Sequence, residues 1–470
     1  MFNIMNTRKS IFLPLAIVSL GFMSGQQKVM QTDFSKGTWE QVGNGLQRQW
    51  VSGAESTFAF WKMDQGAHVP PHQHPNEQVT YIAKGSVRVL MNNKEHIVKA
   101  GGVLIIPAGI THEFFCLEDG TEDLDFFTPV RQDWTNGTAG YLQQQANPLE
   151  TVAQFNDMRP GNVAVSRNGR TFATIHPLGS PQQQLVEIVN GQPVSFPSAG
   201  LQKNGGKAGN KKFDTPLGIT VDKENRLWMI DMGLELGKTR LWCFDLKKNR
   251  VTEKIDLPAD IAPQGSFVQD VAIDEKNEWA YLADIANPGI IALNLKTKKA
   301  RRFSGHSSLQ SEDVDMIIDG KVIDFGGKPS RVAVNPITLS DDRETLFFGS
   351  MNGTTWYKVP AKLFRENADD ITIGHAIQKF GNKPVSDGAA TDKHGNHYIT
   401  NPGGHSISKL NANGALSDFV KDARLKWPDN VAVSEDGYLY ISVNQLNTTP
   451  AFSGEADQGK PPYFIYRIKL

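Results

Sequence analysis

One unit recurs six times in the last two thirds of the chain: an apolar strand, a polar turn, then a second apolar or aromatic strand. The copies run from Asn162 to Phe172, Gly218 to Asp231, Asp270 to Asp284, Ile337 to Phe348, Gly388 to Thr400 and Asn430 to Ser442. A lone hairpin cannot bury its own apolar faces. Six of them at roughly regular intervals satisfy that need by stacking face to face around an axis. The pattern predicts a six-bladed β-propeller over residues 157–470, with the segment Tyr463 to Ile468 pairing into the terminal blade and closing the ring. A two-sheet sandwich would have to carry most of these copies as insertions.

The residues before this repeat form a separate block from 33 to 142. Alternating stretches occur at Phe58–Trp61, Val79–Ile82, Val87–Met91 and Val103–Ile106, joined by short Gly- or Asn-containing turns. That is the pattern of antiparallel strands closing into a small barrel, so the whole chain reads as all-β. A polar run beginning at Gln143 predicts a linker over 143–156. Near the start, Arg8 and Lys9 precede an apolar run from Ile11 to Met23, followed by Ser24 and Gly25. This order predicts a signal peptide over residues 1–25, too short for a comfortable membrane span. The expected mature protein is exported, periplasmic or extracellular, with no stable membrane span. Lys plus Arg total 49 against 50 for Asp plus Glu, which argues against nucleic acid as a partner. The two cysteines, Cys116 and Cys243, fall in different blocks and read as buried thiols.

The first block carries the sharpest chemistry. His72 and His74 are separated by one residue, and on a strand both would point the same way. Gln78 shares their parity and Glu77 does not. His112 follows a Pro-Ala-Gly turn at the end of an apolar strand. Imidazole nitrogens suit a divalent transition metal such as Zn, Mn, Fe or Ni, and an amide oxygen can complete the set. Gly66, His72, His74, residue 78 and Gly85 fall in the register of the first motif of the cupin superfamily. Gly101, Pro107, Gly109 and His112 fall in the register of the second, with Cys116 where that motif has Asn. The segment resembles cupins of the pectin-degradation-protein type and implies a jelly-roll barrel. The resemblance implies His72, His74, Gln78 and His112 as ligands of one metal ion. Gln78 stands where most of the superfamily has glutamate, with Glu77 as the alternative ligand.

In a propeller, residues at the start of each innermost strand converge on the central channel. Here they are Asn162, Leu217, Asp270, Asn335, Asp387 and Asn430, with Asp429 adjacent. A ring of such oxygens suits Ca²⁺, and clustered carboxylates suit acid–base work. The expected catalytic residues are Asp387 and Asp429; Asn162, Asp270 and Asn430 are expected to bind the cofactor. Five segments of this half are similar to the Yellow and major royal jelly protein family. They are Arg159–Val163, Leu227–Gly233, Thr239–Leu246, Ala280–Asp284 and Trp427–Val431. That resemblance implies a six-bladed propeller, secretion, and either small-ligand binding or dopachrome-type tautomerisation. The surroundings of Asn162 and Asp429 also look like those of gluconolactonase-like, calcium-dependent lactonases.

Together these features predict an exported enzyme on small polar metabolites, sugar acids or their lactones, working by metal-assisted ring opening, hydrolysis or isomerisation. The alternatives are a secreted binding protein for an amine or a sugar, and a dopachrome-type tautomerase. The expected partner is a small molecule, with dimerisation through the cupin as a further expectation.

Overall fold

The computed structural model describes residues 29–43, 45–92, 94–139, 149–179 and 181–470. The expected signal peptide and the first part of the expected linker lie outside these residues. The chain divides into two compact units, residues 1–139 and 140–470. Among the described residues no helix is long and apolar enough to cross a membrane.

The first unit is built from ten strands: β1 (Glu40–Gly43), β2 (Leu46–Ser52), β3 (Thr57–Met63), β4 (His68–His72), β5 (Glu77–Lys84), β6 (Ser86–Met91), β7 (Lys94–Lys99), β8 (Val103–Ile106), β9 (His112–Cys116) and β10 (Thr121–Thr128). They form two antiparallel sheets, in the orders β1-β2-β3-β10-β5-β8 and β4-β9-β6-β7. Strict alternation decides which side chains face the interior. On β3 these are Ala59, Trp61 and Met63; on β5, Gln78, Thr80 and Ile82; on β10, Asp123, Asp125 and Phe127, all buried. Gly85, at φ +76°, makes the turn between β5 and β6, where a Cβ would lie 2.2 Å from the Thr121 hydroxyl. Only glycine meets both demands.

Among the described residues the second unit contains two small two-stranded sheets and six four-stranded antiparallel ones. Their innermost strands are Pro160–Val165, Pro216–Val221, Val268–Asp274, Val334–Leu339, Ala389–Thr391 and Pro428–Val433. Each touches the next, and the sixth touches the first. All six expected hairpins form the two inner strands of a blade. Apolar side chains fill every interface between neighbouring blades. Phe172 and Leu185 of the first blade meet Leu227 and Phe244 of the second. Tyr440 and Ile465 of the sixth meet Val163 and Val186 of the first.

The linker expectation fails over its second half. Glu150–Phe155 is a strand, paired antiparallel with Tyr463–Lys469 across a register shift at Thr151/Ala153, and it is the outermost strand of the sixth blade. That blade therefore takes one strand from the start of the unit and three from the end of the chain. The Gln- and Asn-rich run masked the signal, because an outer strand needs only one apolar face. Here that face is Ala153 and Phe155, both buried. Phe155→Ala in the full chain is expected to cost about 3–4 kcal/mol, read as a lowered denaturant midpoint for the propeller transition. A loss below ~1 kcal/mol would place the strand outside the closed ring.

Candidate metal centre and candidate propeller site

His72 and His112 are directly opposed across the β4–β9 pair. His74 lies beyond the end of β4, in the bend before β5. The strand-parity argument therefore does not hold at His74, yet its ring reaches the same point. Imidazole centroids are 4.3 Å apart for His72 and His112, 5.0 Å for His74 and His112, and 5.7 Å for His72 and His74. One ring nitrogen from each lies within 4.8 Å of the others, the only such His, Cys, Asp or Glu group of three among the described residues.

The backbone sets the tautomer of all three rings. Nδ1–H of His72 donates to the Pro70 carbonyl at 2.9 Å, that of His74 to Asn76 at 3.0 Å and that of His112 to Ile110 at 2.8 Å. Burial pushes all three pKa values down, that of His74 to about 4. Neutral rings with the proton on Nδ1 present bare Nε2 lone pairs. Nε2 of His112 is buried with no hydrogen-bond partner.

Gln78 adds a fourth lone pair. Its Nε2 donates to Asp125 Oδ1 and to the Thr80 hydroxyl, each at 2.9 Å. That turns Oε1 toward His74 Nε2, 3.2 Å away. Two acceptors facing each other at that distance call for a shared cation. The donor set fits a divalent transition metal on this ground. Glu77 is exposed, and His68 is paired with Glu113 at 2.6 Å and stacked on Phe115. Neither belongs to the cluster. The departure from glutamate at residue 78 also has a cause: a carboxylate there would face Asp125 where the amide now donates.

The motifs do not include the side chains around this centre. Asp125 also accepts from the Thr80 hydroxyl at 2.5 Å, and burial raises its pKa. Arg131 is buried, held by Asp133 through Nε at 2.9 Å and Nη2 at 2.7 Å, and lies against Phe127 and Trp134. Its charge contributes to lowering the pKa values of all three histidines. Neither residue is among the expected ones; alternation on β10 is the signal that would have turned Asp125 inward, and Arg131, past the last strand, has no such signal.

In the propeller, the residues expected at the channel lie at the starts of the inner strands, mostly where register shifts mark β-bulges. The shifts fall at Pro160/Val163, Pro216/Ile219, Val268/Asp270, Val334/Ile337 and Pro428/Val431. A bulge frees a backbone N–H and re-aims the side chain beside it. Hydroxyls of the second strand take up the freed groups: Thr174 accepts from Asn162, and Ser442 from Asn430. In the fifth blade Thr400 accepts from Asp387 and Gly388.

Asp270, Asp387 and Asp429 are all buried and close enough for their charges to interact. Asp387 accepts from Asn335, Gln269 and the Trp427 indole at 2.9, 3.1 and 2.8 Å. Asp429 accepts from Asn444 at 2.6 Å. Asp270 caps two backbone amides, Val271 and Ile337. Burial raises all three pKa values, Asp270 to about 7, with mutual repulsion adding to the shifts of Asp270 and Asp429.

A cavity of about 530 Å³ runs along the inner strands, lined by Asp270 and Asn430 but not by Asp387 or Asp429. Trp427, which donates to Asp387, packs with Met316, Ile323, Leu446 and Phe452 from segments outside the blades. This apolar cluster lies against the carboxylates. Of the expected residues, Asp270 and Asn430 thus line the cavity, and Asn162, Asp387 and Asp429 do not. The excursions that supply the cluster carry no repeat signal in the sequence.

The family described as major royal jelly protein matches residues 215–460, and the cupin domain matches residues 59–127. The protein yellow of Drosophila pseudoobscura pseudoobscura is 27% identical over 49% of this chain and 41% of its own length. The L-dopachrome tautomerase yellow-f of Drosophila melanogaster is 21% identical over 48% of this chain and 59% of its own. The pectin degradation protein KdgF of Dickeya dadantii is 29% identical over 20% of this chain and 89% of its own. The chain spans less than two thirds of the length of the Yellow relatives it matches.

The propeller carboxylates set a pH dependence. Their folded pKa values lie above the unfolded ones, so the native state holds more protons between pH 4 and 7. Their contribution to stability then falls as pH rises through that window, against the buried His176 and His397, whose lowered pKa values act in the opposite sense. In chelator-treated protein, the change in propeller melting temperature from pH 5 to pH 8 is therefore expected to be more positive in Asp270→Asn than in the wild type. An equally steep profile in the variant would assign the dependence to other groups.

Proposed function

Because the chain belongs to the major royal jelly protein family and carries a cupin domain ahead of that family's propeller, we propose that it is an enzyme acting on small polar metabolites. The favoured substrates are sugar acids or their lactones, and the reaction is ring opening or isomerisation in the cupin barrel. The carrying observation is the convergence of three neutral imidazoles and the Gln78 oxygen on one point. A divalent metal held by His72, His74, Gln78 and His112 would supply a Lewis acid for a substrate oxygen.

The remaining roles fall to side chains already in place. Arg131 is a fixed guanidinium beside the imidazoles and suits a substrate carboxylate. Asp125 is the carboxyl positioned to take a proton from substrate and return it. Thr80 and Gln78 fix its orientation, so no reorganisation is needed as the proton moves. The likeness to the Dickeya pectin degradation protein supports a sugar-acid substrate, since pectin is a polymer of uronic acids.

A second reading concerns the propeller. Three buried carboxyls stand there with no basic side chain among their hydrogen-bond partners. Asn444, fully buried, turns one amide face to Asp429 while its Oδ1 has no partner. That surplus of acceptors favours a cation, Ca²⁺ first among them. Asn162, Asp270 and Asn430 are the proposed binding groups, with Asp387 and Asp429 as acid–base candidates. The name of yellow-f supports tautomerisation as the alternative activity, and a cation-free channel would instead suit binding of an amine or a sugar.

Purified protein screened against uronates and aldonolactones, with and without chelator, separates these readings. Turnover lost on chelation and in His112→Ala, with metal content falling from about one equivalent to near zero, is the expected result. Full metal content in His112→Ala would remove the metal assignment. Added Ca²⁺ should raise the melting temperature of the wild type and not of Asp429→Ala.

A further inference from the structure

One blade breaks the rule that the other five keep. Near the turn of each inner hairpin, a residue of the innermost strand stands opposite one of the second strand. On the innermost strands these are Val165, Val221, Ile273, Leu339, Thr391 and Val433. All six line the cavity of about 530 Å³ that runs along those strands. Five are aliphatic, and the fifth blade alone sets a threonine there, opposite His397. His397 is buried among aromatic rings, with Phe347 at 4.3 Å, Phe380 at 5.3 Å and Trp356 at 6.0 Å. A polar ring in such surroundings costs stability unless it is hydrogen-bonded.

The bond it makes leads to the cavity. His397 Nδ1 lies 2.8 Å from the Thr391 hydroxyl, which lies 3.2 Å from the Thr338 hydroxyl of the fourth blade. Thr338 lines the same cavity, and the chain of hydrogen bonds ends there. Burial pushes the His397 pKa down to about 4, against the pull of Asp392, so the ring is neutral and carries one proton. With that proton on Nδ1, the chain turns a donor to the cavity; with it on Nε2, the chain turns an acceptor. A hydroxyl group answers either state. An ammonium group only donates, and a carbonyl only accepts.

The rest of the wall offers little to a charge. Rim side chains are engaged with one another: Lys223 with Asp341 at 2.7 Å, Arg167 with Glu435 at 3.5 Å and Arg343 with Glu275 at 3.0 Å. At the far end both oxygens of Asp270 accept from backbone amides.

We propose that this end of the cavity binds an uncharged molecule with an apolar body and a hydroxyl group, which joins the Thr338–Thr391–His397 chain. The volume suits a ligand of that kind, and an apolar wall with few, placed polar groups is how such sites achieve orientation. The proposal does not depend on the cupin metal or on a cation beside Asp270.

Fluorescence titration of the full chain with four probes on one body tests it: 2-naphthol, naphthalene, 2-naphthoate and protonated 2-(aminomethyl)naphthalene. The expected result is saturable binding of 2-naphthol, about tenfold tighter than naphthalene or either charged probe. Thr391→Val, which keeps the shape and removes the hydroxyl, should abolish the preference and leave the naphthalene affinity unchanged. Thr391→Ser should retain it. Thr338→Val should also abolish it, and it decides the matter if Thr391→Val does not fold. Equal binding of 2-naphthol and naphthalene, tighter binding of a charged probe, or a preference that survives the folded valine variants overturns the proposal. So does the absence of saturable 2-naphthol binding.

Discussion

Closure of the ring is the constraint on which the propeller site depends. Glu150–Phe155 and Tyr463–Lys469 lie some three hundred residues apart in sequence and pair in one sheet. Their side chains complete the interface between the sixth blade and the first, where Ala153, Phe155 and Ile465 meet Val163 and Ile175. Five interfaces would leave an open arc with two exposed apolar faces. The sixth brings Asn162 of the first blade next to Asn430 of the last, whose side chain accepts from the Val163 amide. The polar channel end is therefore a consequence of hydrophobic closure.

The bulges then determine what that end presents. An innermost strand is the edge of its sheet, so a regular one would put every second backbone amide into the ladder and its side chains between blades. The register shifts turn Asp270 and Asn430 toward the channel, and Thr174 and Ser442 absorb the amides released. The same device buries carboxyls with neutral partners, which raises their proton affinity. The two candidate sites are thus electrostatic opposites. The cupin centre is a cluster of neutral bases beside a fixed guanidinium, and the propeller site is a cluster of acids whose hydrogen-bond partners are neutral.

Much of the architecture was legible because it repeats. Six hairpins predicted six blades, and the terminal strand was readable from Tyr463 onward. The outermost strand from Glu150 was not, because half of its residues face solvent and its polar neighbours hide the alternation. Histidine spacing located the imidazole cluster, although the reason offered for His74 was wrong: a carbonyl at Asn76, not strand parity, orients the ring. Arg131 escaped because nothing in its immediate sequence ties it to histidines many residues away. The burial of Asp387 and Asp429 escaped because the covering segments belong to no blade.

Gln78 shows why single positions resist motif reading. The superfamily pattern makes it a substitution that costs an anionic ligand. In the barrel it is one link in a chain of oriented dipoles: Thr80 and Gln78 donate to Asp125, and the Gln78 oxygen turns to His74. A glutamate would gain charge at the metal and lose the donor to Asp125, leaving two carboxyls in contact in a buried space. One of them would have to hold a proton to relieve the repulsion. The amide instead donates to Asp125 and lowers its proton affinity without placing a second charge beside it. The residue that departs from the motif is therefore the one that couples the metal centre to its neighbouring acid.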